Sequence, residues 1–191
     1  MSQQRSDTAE TGTRARTRRA ILDAAVTVLS QDISASLGDI AATAGVGRTT
    51  MHRYFPERSD LLAAISLDAL EQADAAATRA RLDDGPGADA VNRLCQELFE
   101  VGDPLMLLFN NPQLMTGKEW EEESDFDREV MRVVERGRSD GSLDPDLDAA
   151  WALQVVWALL YSAWMHSLES GVPKLTALSL CLRTVDKAFR P

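Results

Sequence analysis

The chain has 191 residues, enough for one medium domain or two small ones with a buried core. Gly and Pro are sparse and 45% of the residues are hydrophobic, which predicts an all-α fold. Two cysteines, Cys95 and Cys181, are too few for a disulfide framework or a metal site, so we expect buried core thiols, no metal and no cofactor.

The formal net charge of -10 is unevenly distributed. Residues 1–58 contain 8 basic and 6 acidic residues, a net of +2, whereas residues 59–191 contain 12 and 24, a net of -12. Nucleic acid responds to the charge of the surface that contacts it, not to the total. The acidity therefore does not exclude DNA binding but restricts it to the N-terminal part.

The first 13 residues are polar and without periodicity, so we predict a disordered tail over 1–13. A first helix follows over 14–30, and its early arginines are either a solvated basic face or lie near an anion. We predict a DNA-binding head over 14–58 and a helical body over 59–191.

The head contains the spacing of a helix-turn-helix. Ser36 and Asp39 match a capping box, which predicts a second helix over 37–44 that ends in a left-handed turn at Gly45. A third helix is predicted from Gly47 or Arg48 to Phe55, before Pro56. Two short helices joined by a tight glycine turn can place the second one in the major groove.

This segment resembles the N-terminal domain of the tetracycline-repressor (TetR) family of bacterial transcription regulators over about residues 14–62. The residues that carry the resemblance are Ile40-Ala41, Ala44-Gly45-Val46, Thr50 through Phe55, Arg58 and Leu61-Leu62. It implies a three-helix head and a helical ligand-binding and dimerisation body, about nine helices in all. The chain departs from the family at Gly47, where Ser is usual, and at His52, where Tyr is usual.

The predicted DNA contacts divide by chemistry. Arg48 and Thr49 begin the recognition helix and, with Arg53, suit base edges. Thr50, His52 and Tyr54 suit phosphate oxygens, although Tyr54 also suits packing against the first helix. Helix N-termini favour anions, which adds the last two candidates, Ser36 and Arg58.

The body is predicted to bind an effector and a second copy of the chain. Met and aromatic residues suit an adaptable apolar pocket, or plain core: Met106, Phe109, Met115, Trp120, Trp157 and Trp164. The acidic run over 119–127 is a solvated loop or helix start, or it attracts a cationic ligand or metal.

Two late helices, over 146–170 and 175–189, are apolar on more than one face, which predicts a two-fold dimer interface. The residues expected there are Val156, Leu160, Leu175, Leu178, Leu182, Val185 and Phe189. Such a dimer would place two recognition helices about 34 Å apart on a palindromic operator. Residues 149–168 lack charge over a bilayer's length, but Gln154 and His166 favour a buried helix, and we expect no membrane partner.

We therefore expect a ligand-responsive regulator, most simply a repressor that binds double-stranded DNA and is released by a small apolar or aromatic effector. It would work in the bacterial cytoplasm, on the nucleoid, since no signal peptide opens the chain. The alternative is a helical protein-interaction module without effector control. No catalytic residues are expected, because His52 and His166 are the only histidines and no phosphate loop or nucleophile elbow is present.

Overall fold

The computed structural model describes residues 2–115, 120 and 123–191, with side chains described from residue 12 onward. Regular structure in these residues is helical throughout, which confirms the all-α class. The helices are α1 (Ser2–Gln31), α2 (Leu37–Thr43), α3 (Arg48–Tyr54), α4 (Arg58–Ala80), α5 (Gly87–Glu100), α6 (Gly102–Asn110), α7 (Asp125–Asp140), α8 (Ala149–Ser170) and α9 (Lys174–Phe189), with a short 3-10 helix at Pro112–Leu114.

Helix α1 begins at Ser2, and it therefore includes residues 2–13, for which the sequence predicted a disordered tail. The segment contains no proline and a single glycine, Gly12, so little in it opposes extension of the helix from residues 14–30 toward the N-terminus. The hydroxyl of Thr17 donates to the carbonyl of Thr13 at 3.0 Å, one helical turn apart, where the predicted helix began.

The helix-turn-helix forms as the spacing indicates. Ser36 caps α2 with a complete capping box, in which its hydroxyl accepts from the amide of Asp39 and the Asp39 carboxylate accepts from the amide of Ser36. Gly45 has φ of 67°, the left-handed conformation that ends α2. Gly47 is the N-cap of α3 and provides no side-chain hydrogen bond. Ile40 and Met51 are buried, while α2 packs against both α1 and α3.

The chain divides into two compact units inside α4, whereas the sequence predicted a boundary at residue 58. Unit 1 consists of Met1–Asp68 and Leu107–Leu114, and unit 2 of Ala69–Met106 and Met115–Pro191. The first part of α4 belongs with unit 1 because its apolar side chains continue the core of the head, with Leu61 and Ile65 both buried.

Unit 2 is built on helices that cross closely. Helix α5 packs against α7, α8 and α9, and α8 packs against α7 and α9. A Cβ atom on Gly87 would lie 2.3 Å from the Cα atom of Gly137, so α5 and α7 meet backbone to backbone. The thiols of Cys95 and Cys181 are buried and unoxidised, and their mutual hydrogen bond, with burial, raises the pKa of Cys95.

Helix α8 covers the long uncharged segment of the sequence. In the described part of the chain, no helix is both long and apolar enough to cross a membrane. The same residues hold no group of three or more His, Cys, Asp or Glu side chains placed to bind a metal ion.

Candidate nucleic-acid interface and ligand-binding residues

The N-terminal end of α3 presents polar side chains to solvent. Arg48 and Thr49 are exposed in its first turn, and Thr50 is half-buried. A concave surface that encloses a volume of about 320 Å³ lies beside them. Its lining comes from both helices of the helix-turn-helix: Ser36, Leu37, Gly38, Arg48, Met51 and His52. An exposed guanidinium beside a concave surface can donate to a base edge or a phosphate.

Ser36 lies on this surface, but its hydroxyl already forms hydrogen bonds within the chain. It accepts from the amide of Asp39 at 3.2 Å and lies 2.7 Å from the Asp39 carboxylate. Hydrogen bonds from the hydroxyl and amide of Ser36 lower the pKa of Asp39. The capping box therefore keeps a negative charge in the first turn of α2, where the helix dipole favours it.

His52 and Arg53 are exposed near the end of α3. The Nδ1 atom of His52 lies 3.4 Å from the carbonyl oxygen of Pro56, a long contact that leaves the Nε2 edge available. The guanidinium carbon of Arg53 lies 5.6 Å from the centre of the Tyr54 ring, within the range of a cation–π contact.

Tyr54 and Arg58 join elements of unit 1 to one another. The Tyr54 hydroxyl donates to the carbonyl of Arg14 in α1 at 3.2 Å, as its alternative assignment to packing against the first helix anticipates. The Arg58 guanidinium donates to the carbonyls of Ile33 and Ala35 in the loop before α2. Tyr54 thus joins α3 to α1, and Arg58 joins the start of α4 to the loop before α2.

An ion pair between α1 and α4 was not predicted from the sequence. Arg19 donates to both carboxylate oxygens of Asp68, at 2.6 and 2.9 Å, and also pairs with Asp23 at 2.7 Å. Burial by itself lowers the pKa of Arg19, but its bonds to the two carboxylates raise it overall. Asp68 follows Leu61 and Ile65 at the spacing that places all three on one face of the helix. Because an acidic side chain on a buried face is rarely left without a partner, this spacing could have indicated an ion pair.

The residues predicted to line an effector pocket are buried or half-buried. Trp164 is buried, stacks on Phe99 at 6.1 Å between ring centres, and donates its indole N–H to the Phe99 carbonyl at 3.1 Å. Trp157 is half-buried and lies 5.7 Å from the ring of Phe126. The other four are half-buried, with Phe109 in unit 1 and the rest in unit 2: Met106, Phe109, Met115 and Trp120.

A group of carboxylates in unit 2 makes the local electrostatic potential more negative. Partial burial, followed by the charges of Asp125, Asp127 and Glu71, raises the pKa of Asp74 on α4. This group of acidic side chains would attract a cation. Part of the acidic run over 119–127 lies outside the described residues.

The residues predicted at a dimer interface fall into two groups. Val156, Leu160, Val185 and Phe189 are at most 2% exposed and belong to the core of unit 2, where α8 and α9 pack against each other and against α5, and α7 packs against α8. Leu178 and Leu182 are half-buried, and Leu175 is 78% exposed. The large apolar side chains exposed on these two helices are Trp151, Leu168, Leu175 and Leu180.

The fold and the exposed face of α3 define a helix-turn-helix DNA-binding protein. Residues 21–65 match the family model of the bacterial regulatory proteins, tetR family. The HTH-type transcriptional repressor LfrR of Mycolicibacterium smegmatis is 37% identical over 170 residues, covering 88% of each chain. The chain belongs to the TetR family and is a transcriptional regulator.

Solved structures agree with this assignment. The crystal structure of LfrR from Mycobacterium smegmatis in complex with proflavine is 34% identical and covers 91% of this chain and 96% of that one, with a TM-score of 0.75. A structure of the ketosteroid regulator KstR2 of Mycobacterium tuberculosis, 16% identical, covers 91% and 95% with a TM-score of 0.71, and shows the shared fold.

Proposed function

We propose that this regulator represses transcription as a homodimer on a palindromic operator and is released by a small aromatic effector. The observation that carries the proposal is the exposed N-terminal face of α3, with Arg48 and Thr49 in its first turn. In a helix-turn-helix this end of the second helix reads base edges in the major groove. That LfrR is described as a repressor supports repression here.

The proposed roles follow from which polar groups are already engaged. Arg48, Thr49 and Arg53 read bases, because their side chains are exposed at the surface of α3. Thr50, His52 and Ser36 contact phosphates, the last mainly through the amide groups that open α2. Tyr54 acts chiefly by holding α3 against α1, and Arg58 by holding the start of α4 against the loop before α2.

The second copy would pack on α8 and α9. Trp151, Leu168 and Leu175 are 60%, 72% and 78% exposed, an unusual exposure for large apolar side chains on neighbouring helices. A two-fold contact between these helices and their equivalents would cover them, with Leu178 and Leu182 at its margin. Substituting Leu175 with Glu should yield monomers in sedimentation and weaken binding to a full operator; unchanged dimers would contradict the assignment.

The effector would bind in unit 2 among its Met and Trp side chains. LfrR has been crystallised with proflavine, a flat aromatic cation, which supports the same ligand class here. The carboxylates around Asp74 would favour such a cation. A ligand that binds more tightly to the arrangement in which the heads cannot bind DNA would favour that arrangement. It would shift α4 and release the operator.

Selecting bound fragments from random DNA tests the DNA-binding part, and a palindromic consensus is the expected result. Affinity for that operator should fall steeply with salt, because each phosphate contact contributes about -0.9 to the logarithmic slope. A flat response would favour the protein-interaction module. Proflavine should then weaken operator binding. If proflavine leaves the affinity for the operator unchanged, control by a flat aromatic cation is ruled out.

A further inference from the structure

The early part of α1 carries arginines that take no part in the ion pairs of unit 1. Arg14, Arg16 and Arg18 are all exposed. Among the residues whose side chains the structure describes, none of the three has an acidic partner, and the guanidinium of Arg16 donates only to the hydroxyl of Thr13, at 3.1 Å. The next residue, Arg19, pairs with two carboxylates. The positive charge of the three arginines is therefore available to an anion from outside the chain.

Arginines of unit 2 show that acidic partners are plentiful in this chain. Acidic residues outnumber basic ones by 30 to 20. Ion pairs with a nearby carboxylate are formed by Arg79, Arg81, Arg128, Arg138 and Arg190. A group of arginines without such partners is thus a local feature of α1, and it lies in the part of the chain that has a net positive charge.

Helical spacing places the three arginines on two different faces of α1. The spacing i, i+4, i+7 and i+11 of one face is followed by Arg14, Arg18, Ile21 and Ala25. Ile21 and Ala25 are fully buried in the head. Arg16 lies about 200° around the helix from Arg14, on the opposite side. The face of α1 that packs into the head therefore continues beyond the core as Arg14 and Arg18, which we call the α1 basic face.

The α1 basic face lies beside the last turn of the recognition helix α3. The Tyr54 hydroxyl of α3 donates to the backbone carbonyl of Arg14 at 3.2 Å. The guanidinium carbon of Arg53 lies 5.6 Å from the centre of the Tyr54 ring. Because Arg53 is an exposed cation on α3, positive charge extends from the recognition helix across Tyr54 to α1. In a helix-turn-helix, helices beside the recognition helix lie over the sugar–phosphate backbone of the duplex.

We propose that the α1 basic face is a second DNA-binding surface, at which Arg14 and Arg18 bind phosphates next to the base pairs that α3 reads. This inference rests on the proposed function, since it requires α3 to enter the major groove. The ligand is the backbone of duplex DNA and not its base edges, because neither arginine lies on the recognition helix. The surface therefore adds affinity and salt dependence without adding sequence discrimination.

The test compares two double variants that remove the same charge. Arg14→Ala with Arg18→Ala removes the α1 basic face, whereas Arg16→Ala with Arg132→Ala removes exposed arginines from the opposite side of α1 and from α7. The affinity of the full-length protein for the selected operator duplex is measured over a range of salt concentrations. The first variant loses two contacts in each subunit of the dimer, so its logarithmic slope should become shallower by about 3.6 and its affinity should fall at least about tenfold. The slope of the control should change by less than about 1.

Two further measurements separate phosphate binding from support of α3. Binding of the first variant to an unrelated duplex of equal length should weaken by the same factor as binding to the operator, because phosphate contacts carry no sequence information. Arg14→Lys with Arg18→Lys should keep the wild-type slope, since an ammonium group binds a phosphate as a point charge. A loss confined to the operator, or a slope that lysine does not keep, would overturn the proposal.

The wild type distinguishes failure of this inference from failure of the proposed function. A wild-type protein that binds the operator with a steep salt slope, together with equal slopes in the two alanine variants, would leave the regulator assignment standing and remove only the α1 basic face. A wild-type protein that binds no duplex would overturn both. Circular dichroism of the two alanine variants should match the wild type, because the substituted side chains are exposed and alanine favours a helix.

Discussion

Most of the side chains that the sequence assigned to DNA are exposed on the head, whereas those assigned to an effector in the body are half-buried or, for Trp164, buried. Arg48, Thr49 and Arg53 are exposed on α3, but Trp164 is buried and bonded to the Phe99 carbonyl. The difference follows from the two kinds of ligand. A DNA duplex is large and binds to an outer surface, while a small molecule must be surrounded, so its binding residues also form core.

Two glycines at helix starts, one in each region, differ in the space around them. Gly47 caps α3, and a Cβ atom there would meet nothing within 4 Å, while Gly87 opens α5 with the backbone of Gly137 directly against it. The head thus has open space at a glycine where the body has close backbone packing. Substitutions at matched positions can test this contrast.

The largest expected effect is the substitution of Gly87 with Ala. Its methyl group would lie 2.3 Å from the Cα atom of Gly137 and 2.8 Å from the carbonyl of Val133, so α5 and α7 would have to separate. We expect a loss of about 3 kcal/mol in the free energy of unfolding, measured with urea. Gly47→Ala is the control and should cost no more than about 1 kcal/mol. Equal costs would contradict the close crossing of α5 and α7.

The second prediction removes a base reader. Arg48→Ala should weaken binding to the selected operator by about 1–3 kcal/mol, because an arginine that bonds a guanine edge provides discrimination of that size. Stability should change by less than about 0.5 kcal/mol, since the side chain is exposed. Arg132→Ala on α7 removes an equal, exposed charge from the body and should leave operator binding nearly unchanged. Similar losses in the two variants would indicate only a general charge effect.

How far the sequence predicted each region depends on the range of the interactions. The Ser36–Asp39 capping box and the left-handed Gly45 are local, involving residues at most three apart, and both were predicted correctly. The bonds of Arg58 to Ile33 and Ala35 depend on how α4 packs beside the loop before α2, and no spacing encodes them. Arg58 was accordingly predicted to contact phosphate, not the chain itself.

The same limit applies to the body. Helical periodicity identified α8 and α9 and their apolar faces, but not which face its own chain would cover. Val156 and Leu160 satisfy the pattern expected of a dimer interface, yet α5 and α7 bury them within one subunit. Periodicity gives the direction of a side chain around its helix, while the identity of the neighbour comes from tertiary packing.

The third prediction uses two equivalent capping boxes, one in each region. Ser36 caps α2 through Asp39, and Ser124 caps α7 through Asp127 with closely similar distances. Ser36→Ala and Ser124→Ala should each lower the free energy of unfolding by about 1 kcal/mol. Only Ser36→Ala should also weaken operator binding, since α2 supports α3 on the concave surface. An equal loss of operator affinity in both would mean that stability alone controls DNA binding.

The smallest expected effects concern two carboxylates with opposite pKa shifts. Hydrogen bonds from Ser36 lower the pKa of Asp39 in the head, while partial burial and the charges of Asp125 and Asp127 raise that of Asp74 in the body. A lowered folded-state pKa adds stability above the unfolded value of about 3.9, and this is lost as the pH falls through the folded value. A raised pKa does the reverse, so the charged form of Asp74 lowers stability near neutrality.

Asp39→Asn should therefore be less stable than the wild type at pH 7, and Asp74→Asn more stable. The difference for Asp74→Asn should shrink already above pH about 3.9, as the pH falls through the raised folded-state pKa of Asp74. The difference for Asp39→Asn should shrink below about 3.9, as the pH falls toward the lowered folded-state pKa of Asp39. Urea unfolding between pH 7 and pH 3 measures both differences. Carboxyl NMR titration gives the two pKa values directly, and shifts of the same sign would remove this electrostatic contrast between head and body. The opposite signs of the pKa shifts follow because Asp39 accepts two hydrogen bonds while exposed, whereas Asp74 is partly buried and lies among like charges.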